Sequence, residues 1–240
     1  MTGFGYNING FGAVGAAAGE ANGSIYFSGD AVLDTGSGLA VATSQAFCFE
    51  AWVYMTSQDS YHNIFSSWEG GSAYDGVLMH ISSSGGHFFG WSGSVLQASG
   101  VTVALNTWTH VAVTRNAGSA IKFFTGGASA GTATSSADIG SSGQDLFMGA
   151  NMDSGGAGAY RYHGYISNAR IVVGEQVYTG AFTPSTTPLT LTSQGVTSSN
   201  VKFLGCQSAT DFTAEQTGRT LSAVAAADDD PVASAENPFS

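Results

Sequence analysis

The sequence predicts an all-β sandwich, and three observations carry that prediction. Apolar and polar residues alternate with period two in short runs, the pattern of strands with one buried face. Glycine (34 residues) and abundant Ser, Thr and Ala supply turns between the runs. Long helical periodicity is absent, which excludes helix-based classes. The clearest run is Thr107 to Gly127. Val111 and Val113 alternate with His110, Ala112 and Thr114, Asn116 to Ser119 is a polar turn, and Ile121 and Phe123 alternate around Lys122. Gly126-Gly127 offers the positive backbone angles that a tight hairpin needs. This is a meander of neighbouring antiparallel strands.

Several stretches also carry a resemblance. Trp108-Thr-His-Val-Ala-Val-Thr-Arg115, Gly23-Ser-Ile-Tyr-Phe-Ser-Gly-Asp30, Phe47-Cys-Phe-Glu-Ala-Trp-Val-Tyr54 and His163-Gly-Tyr-Ile-Ser-Asn-Ala-Arg-Ile-Val172 stand in the order of four signature segments. Together they resemble concanavalin A-like jelly-roll modules of the laminin G type, over about residues 23 to 190. Val177-Tyr-Thr-Gly-Ala-Phe-Thr-Pro184 and Leu204-Gly-Cys-Gln207 are similar to the versions carried by marine bacteriophages. The usual Asn-Gly of the central hairpin is Gly126-Gly127 here, which keeps the turn and drops a polar side chain. The resemblance implies a jelly-roll β-sandwich with an N-terminal arm (1–22), a module (23–190) and a C-terminal extension (191–240). In that extension a strand at 201–207 completes the sandwich.

In chain order, residues 1–22 repeat Gly-Phe-Gly, with Phe4, Tyr6 and Phe11 as anchors for docking on the same domain or on another subunit. Glu50 lies inside a strand-like run. The sandwich also hosts glycoside hydrolases, but these need two carboxylates at set separation across the sugar bond, and no Glu-x-Asp-x-x-Glu spacing occurs. Glu50 reads as a structural strand residue whose exchange for Gln leaves the fold unchanged, and the chain as no enzyme. Residues 56–100 interleave aromatics with Gly and Ser, a composition able to stack on sugar faces and hydrogen-bond hydroxyls. Trp68, Tyr74, His87 and Trp91 there, with Tyr160 and Tyr162 beyond, are the glycan-binding candidates, although a sandwich core also needs aromatics.

Cofactors are not expected. Asp75 and Asp153, both in Gly-rich loops, are weak calcium candidates without the dense acidic spacing such sites use. The five His residues give no zinc spacing. Cys48 and Cys206 could pair, but each lies in a strand-like run and is expected reduced. Residues 184–200 read as a crossover loop, and the composition after Asp228 as an exposed tail. Val201, Phe203 and Gly205 should face the core, with the segment lying beside Ser24 to Ser28.

Charge excludes partners. Six basic residues oppose seventeen acidic ones for a net charge of −11, and Arg115 is the first basic residue. Nucleic acids and anionic membranes both demand a basic footprint. No run approaches the roughly 18 apolar residues of a membrane span, and no secretory signal pattern opens the sequence. The expectation is assembly in a host cytoplasm with release by lysis. The reading is a virion protein of head or tail, homo-oligomeric in the particle, contacting other virion proteins and surface glycans. A free carbohydrate-binding lectin and a polysaccharide hydrolase are the alternatives.

Overall fold

A computed structural model describes residues 22–67, 76–91, 94–97, 101–139, 144–153, 156–157, 160–224 and 229–240. The arm candidates Phe4, Tyr6 and Phe11 and the loop candidates Trp68, Tyr74 and Asp75 lie outside these residues. The strands are β1 (Ser24–Ser28), β2 (Leu33–Ser37), β3 (Phe47–Met55), β4 (His62–Ser66), β5 (Leu78–Ile81), β6 (His87–Trp91), β7 (Ser94–Gln97), β8 (Thr109–Arg115) and β9 (Ala120–Thr125). They continue as β10 (Ala128–Thr134), β11 (Asp145–Met148), β12 (Met152–Asp153), β13 (Gly156–Ala157), β14 (His163–Val173), β15 (Val201–Gly205), β16 (Ser222–Ala223) and β17 (Val232–Ser234).

Two antiparallel sheets form the sandwich. The larger runs β10-β9-β8-β3-β14-β1-β17, with β15 also on β14; the smaller runs β16-β2-β11-β4-β5-β6-β7. The period-two pattern explains what lies between them. Ile25, Phe27, Phe49, Val53, Val111, Val113 and Ile171 of the larger sheet meet Ile64, Phe65, Met79, Ile81 and Phe89 of the smaller in one core. The hairpin read at Gly126-Gly127 forms with φ of 60° and 78°. A Cβ on Gly127 would stand 2.1 Å from the Phe182 carbonyl oxygen, so glycine is required there twice over.

The outer face of the larger sheet is covered in part. Outward residues Cys48, Ala112, Phe124 and Val172 pack against Tyr178, Leu189 and Val196 from the 174–200 segment. Asn168, at φ 50° in the bulge between Ser167 and Arg170, anchors that segment. Its side-chain Oδ1 accepts from the Leu189 amide at 2.7 Å and from Gln207 Nε2 at 2.6 Å. The crossover read at 184–200 is thus a packed lid over the sheet.

The C-terminal segment corrects three expectations. β15 pairs with Ala169–Val172 of β14, lying end to end with β1 along one edge of that strand, rather than beside β1. Phe203 enters the core as expected, but Val201 joins Leu204 in the outer cluster while Cys206 turns inward. A register shift at Ile171/Val172 and the positive φ of Cys206 break the simple alternation. The end of the chain is not an exposed tail: Val232–Ser234 forms the strand beside β1, and Ser222–Ala223 pairs with β2. Cys48 and Cys206 are both buried and free.

Candidate functional site

The polar side chains of the central strands converge on a buried ionic cluster. Glu50 on β3 is opposite Arg170 on β14 and Ala112 on β8, so all three strands meet at its carboxylate. Arg170 donates from Nε to Oε1 at 2.7 Å, His110 Nε2 lies 3.0 Å from Oε2, and the Tyr178 hydroxyl donates to Oε2 at 2.7 Å. Arg170 also donates to the Ser193 carbonyl (3.0 Å) and Gln194 Oε1 (2.8 Å), tying the 174–200 segment down. Burial alone would raise the Glu50 pKa, but the Arg170 charge and the His110 and Tyr178 hydrogen bonds outweigh it and hold it at about 2. Glu50 is therefore a permanent, inaccessible carboxylate with no proton to donate at neutral pH. As read from sequence, it is a structural residue.

The uncovered part of the same outer face is aromatic. Tyr26 on β1, Tyr165 on β14 and Tyr54 on β3 are register partners in a row across three adjacent strands. Their ring centroids lie 5.0 Å (Tyr26–Tyr165) and 5.9 Å (Tyr165–Tyr54) apart, and Trp108, entering β8, continues the row 5.5 Å from Tyr54. Trp52, one outward position further along β3, sits 6.1 Å from Phe239. All are half-buried. The successive rings are inclined by 49°, 75° and 57°, so the row is corrugated, presenting faces, edges and phenol groups together. Burial first, then Glu236 and the neighbouring Tyr26 and Tyr54 phenols, raises the Tyr165 pKa and keeps it a hydroxyl donor. This strip was not singled out in the sequence. Its signal was present: tyrosines at the outward phase of three runs whose alternate residues are core.

The smaller sheet carries a second aromatic cluster on its outer face. His80 on β5 stacks on Phe88 of β6 (5.0 Å, 13°) and beneath Tyr160 (5.6 Å, 23°), with the exposed Tyr61 edge-on at 5.0 Å. Asn63, the β4 partner of His80, is fully buried, and neither its amide nor the His80 ring has a hydrogen-bond partner among the described residues. Burial, and then the charge of His62, lowers the His80 pKa to about 4, so the ring is neutral at pH 7.

The sequence candidates separate against this geometry. Tyr160 belongs to the second cluster. His87 and Tyr162 have no exposed surface: Tyr162 packs edge-on against Phe27 and His87 against Phe123, so both are interior residues rather than ligand contacts. Trp91 closes β6 and Asp153 closes β12, and the side chains of both lie outside the described residues. Among the described residues no group of three or more His, Cys, Asp or Glu side chains could hold a metal ion, and no helix is long and apolar enough to cross a membrane.

The Laminin_G_3 family model, of the concanavalin A-like lectin/glucanases superfamily, matches residues 27–185. No curated protein matches the sequence. Among solved structures, the native heptameric SAP-like pentraxin from Limulus polyphemus is similar with a TM-score of 0.57 and 17% identity, over 93% of this chain and 100% of that one. A candidate carbohydrate-binding protein from Bacteroides ovatus gives 0.54 and 14% identity, over 89% of this chain and 62% of that one. At these identities the likeness is one of fold.

Proposed function

From a chain that belongs to the concanavalin A-like lectin/glucanases superfamily, we propose a non-enzymatic virion protein of a bacteriophage that binds glycans through the row Tyr26, Tyr165, Tyr54 and Trp108. The observation that carries the glycan reading is this half-buried aromatic row, with phenol groups along it, beside the part of the same face that the 174–200 segment covers. Aromatic faces take up the apolar side of a sugar ring while hydroxyls meet its polar edge. The inclination of the rings suits a single glycan chain threaded along the strip. A flat crystalline polysaccharide face would need coplanar rings. The non-enzymatic reading is supported by Glu50, whose carboxylate is buried and ion-paired where a glycosidase acid must reach the sugar bond. Placement on a head or tail rests on the resemblance of residues 163–184 and 201–207 to bacteriophage versions, and release with the particle by lysis follows from it. That the Bacteroides ovatus neighbour is a candidate carbohydrate-binding protein agrees with the reading.

A glycan array with purified protein, followed by Trp108→Ala and Tyr54→Ala, tests the strip. By analogy with base stacking each variant should weaken binding by about 1–3 kcal/mol, with little change in Tm because both rings are half-buried. Mass spectrometry of purified particles tests the placement. A chain that binds no glycan and is missing from particles refutes both parts.

A further inference from the structure

The chain has six basic side chains against seventeen acidic ones. Arg170 and Arg161 are ion-paired, with Glu50 and Asp30, and Arg115 is buried among the carbonyl groups of residues 42, 45, 135 and 137. Two of the remaining three, Lys202 and Arg219, line one open cleft of about 600 Å³ where the start of β15 meets the turn at 216–219. Ser198, Ser199, Gln216 and Thr217 add polar side chains, and none of the lining residues is acidic.

The donors of this cleft are incompletely used. Arg219 spends Nε on the Lys202 carbonyl (2.6 Å) and Nη1 on the carbonyls of Thr35, Gly36 and Ser37 (3.0–3.2 Å), which fixes the guanidinium in place. Its Nη2 makes no hydrogen bond among the described residues. Lys202 Nζ donates to the Ser199 carbonyl at 2.7 Å, leaving two of the three ammonium protons for another acceptor. The nearby Glu215 carboxylate accepts from the amides of Leu204, Thr217 and Arg219 and from the Thr217 hydroxyl, and lies outside the lining. Carbonyl oxygens hold the two cations, and the Glu215 carboxylate acts electrostatically on Arg219, so two cations stand against one nearby acid. In a chain of net charge −11, that is a local positive spot with free donors and polar walls.

We propose that this cleft binds a single oxyanion carried on an acidic polysaccharide, a sulfate ester or a uronate carboxylate. Arg219 acts as the fixed fork and Lys202 as the adjustable point charge. The choice of a glycan as carrier rests on the function proposed above; the oxyanion chemistry stands on the cleft alone. The site is distinct from the aromatic strip, sharing none of its residues.

The test titrates the full chain with a sulfated oligosaccharide, a uronic acid oligosaccharide and inorganic sulfate, following the backbone amide signals of Thr217 and Gly218 by NMR. At least one acidic oligosaccharide should shift both signals saturably, with affinity falling as salt rises. Lys202→Gln should weaken that binding about tenfold or more, and Ser199→Glu should abolish it while leaving Arg219 in place. Trp108→Ala should leave it unchanged, so failure of the strip and failure of the cleft are read separately. No shift with either oligosaccharide, an unchanged affinity in Lys202→Gln, a loss in Trp108→Ala, or a response to inorganic sulfate alone (an adventitious ion only) would each overturn the proposal.

Discussion

Exchanging Glu50 for Gln tests how the sheet and its covering segment are held together. The sequence led us to expect an unchanged fold from this substitution, and the buried ion pair adds an expected loss of stability. Arg170 would keep the Ser193 carbonyl and Gln194 but lose its counter-charge inside the protein. Breaking one side of a buried ion pair costs about 3–5 kcal/mol. An independent route gives a similar size: holding the Glu50 pKa at about 2 instead of the ordinary 4.5 corresponds to about 3 kcal/mol at roughly 1.4 kcal/mol per tenfold. Because the folded value is the lower one, this stabilisation is complete above about pH 5 and disappears as pH falls through 4.5 towards 2. Urea unfolding of wild type and Glu50→Gln at pH 7 and pH 3 isolates the residue, since other carboxylates and His87 titrate in both. The difference between the proteins should be about 3 kcal/mol at pH 7 and should shrink at pH 3. Equal stability at pH 7 would refute the network as the clamp. A paired change, Glu50→Leu with Arg170→Met, should recover much of the loss because no charge is left stranded.

Three further outcomes follow from the packing. Removing residues 200–240 bares the β14 edge at Ala169–Val172 and the β1 edge at Ser24–Tyr26, so the truncated protein should aggregate on size-exclusion chromatography; a stable monomer would show that the segment is dispensable. Phe203→Asp places an unpaired charge in the core and should abolish soluble expression. Burial pushes both thiols up, so Cys48 and Cys206 should be inert to a thiol reagent in the native state and react fully in denaturant, whereas prompt native labelling contradicts their placement.

The sandwich was legible because its strands obey period two. Val111, Val113, Phe49 and Val53 announce the core, and Gly126-Gly127 announces its hairpin. What the sequence hid depends on the second face of the larger sheet. Ala112, Cys48 and Val172 occupy outward positions and yet are buried, because a loop with little regular structure folds back over them. Alternation cannot show which part of an outward face a loop will cover, so it could not separate Glu50, sealed under that loop, from the half-buried Tyr54 four residues later. The glycan candidates suffered from the same ambiguity. An aromatic in a Gly- and Ser-rich run can be a core ring, as His87 is, or a surface ring, as Tyr61 is. The partner of β15 was misjudged because β14, at eleven residues, is long enough to hold two strands end to end on one edge.

The pairing of β1 with β17 bears on how the protein would respond to pulling. Ser24 lies opposite Ser234, so the chain before β1 and the chain after β17 leave the sheet at the same end, and Asn237 Nδ2 donates to the Asn22 carbonyl there at 3.4 Å. The ladder hydrogen bonds run perpendicular to the strands. Tension applied between the two ends therefore falls on one rung at a time and opens the pair like a zipper, rather than shearing all rungs together. Anchorage through the chain on both sides of this strand pair would load its weakest direction, whereas attachment on one side alone would leave the pair unstressed.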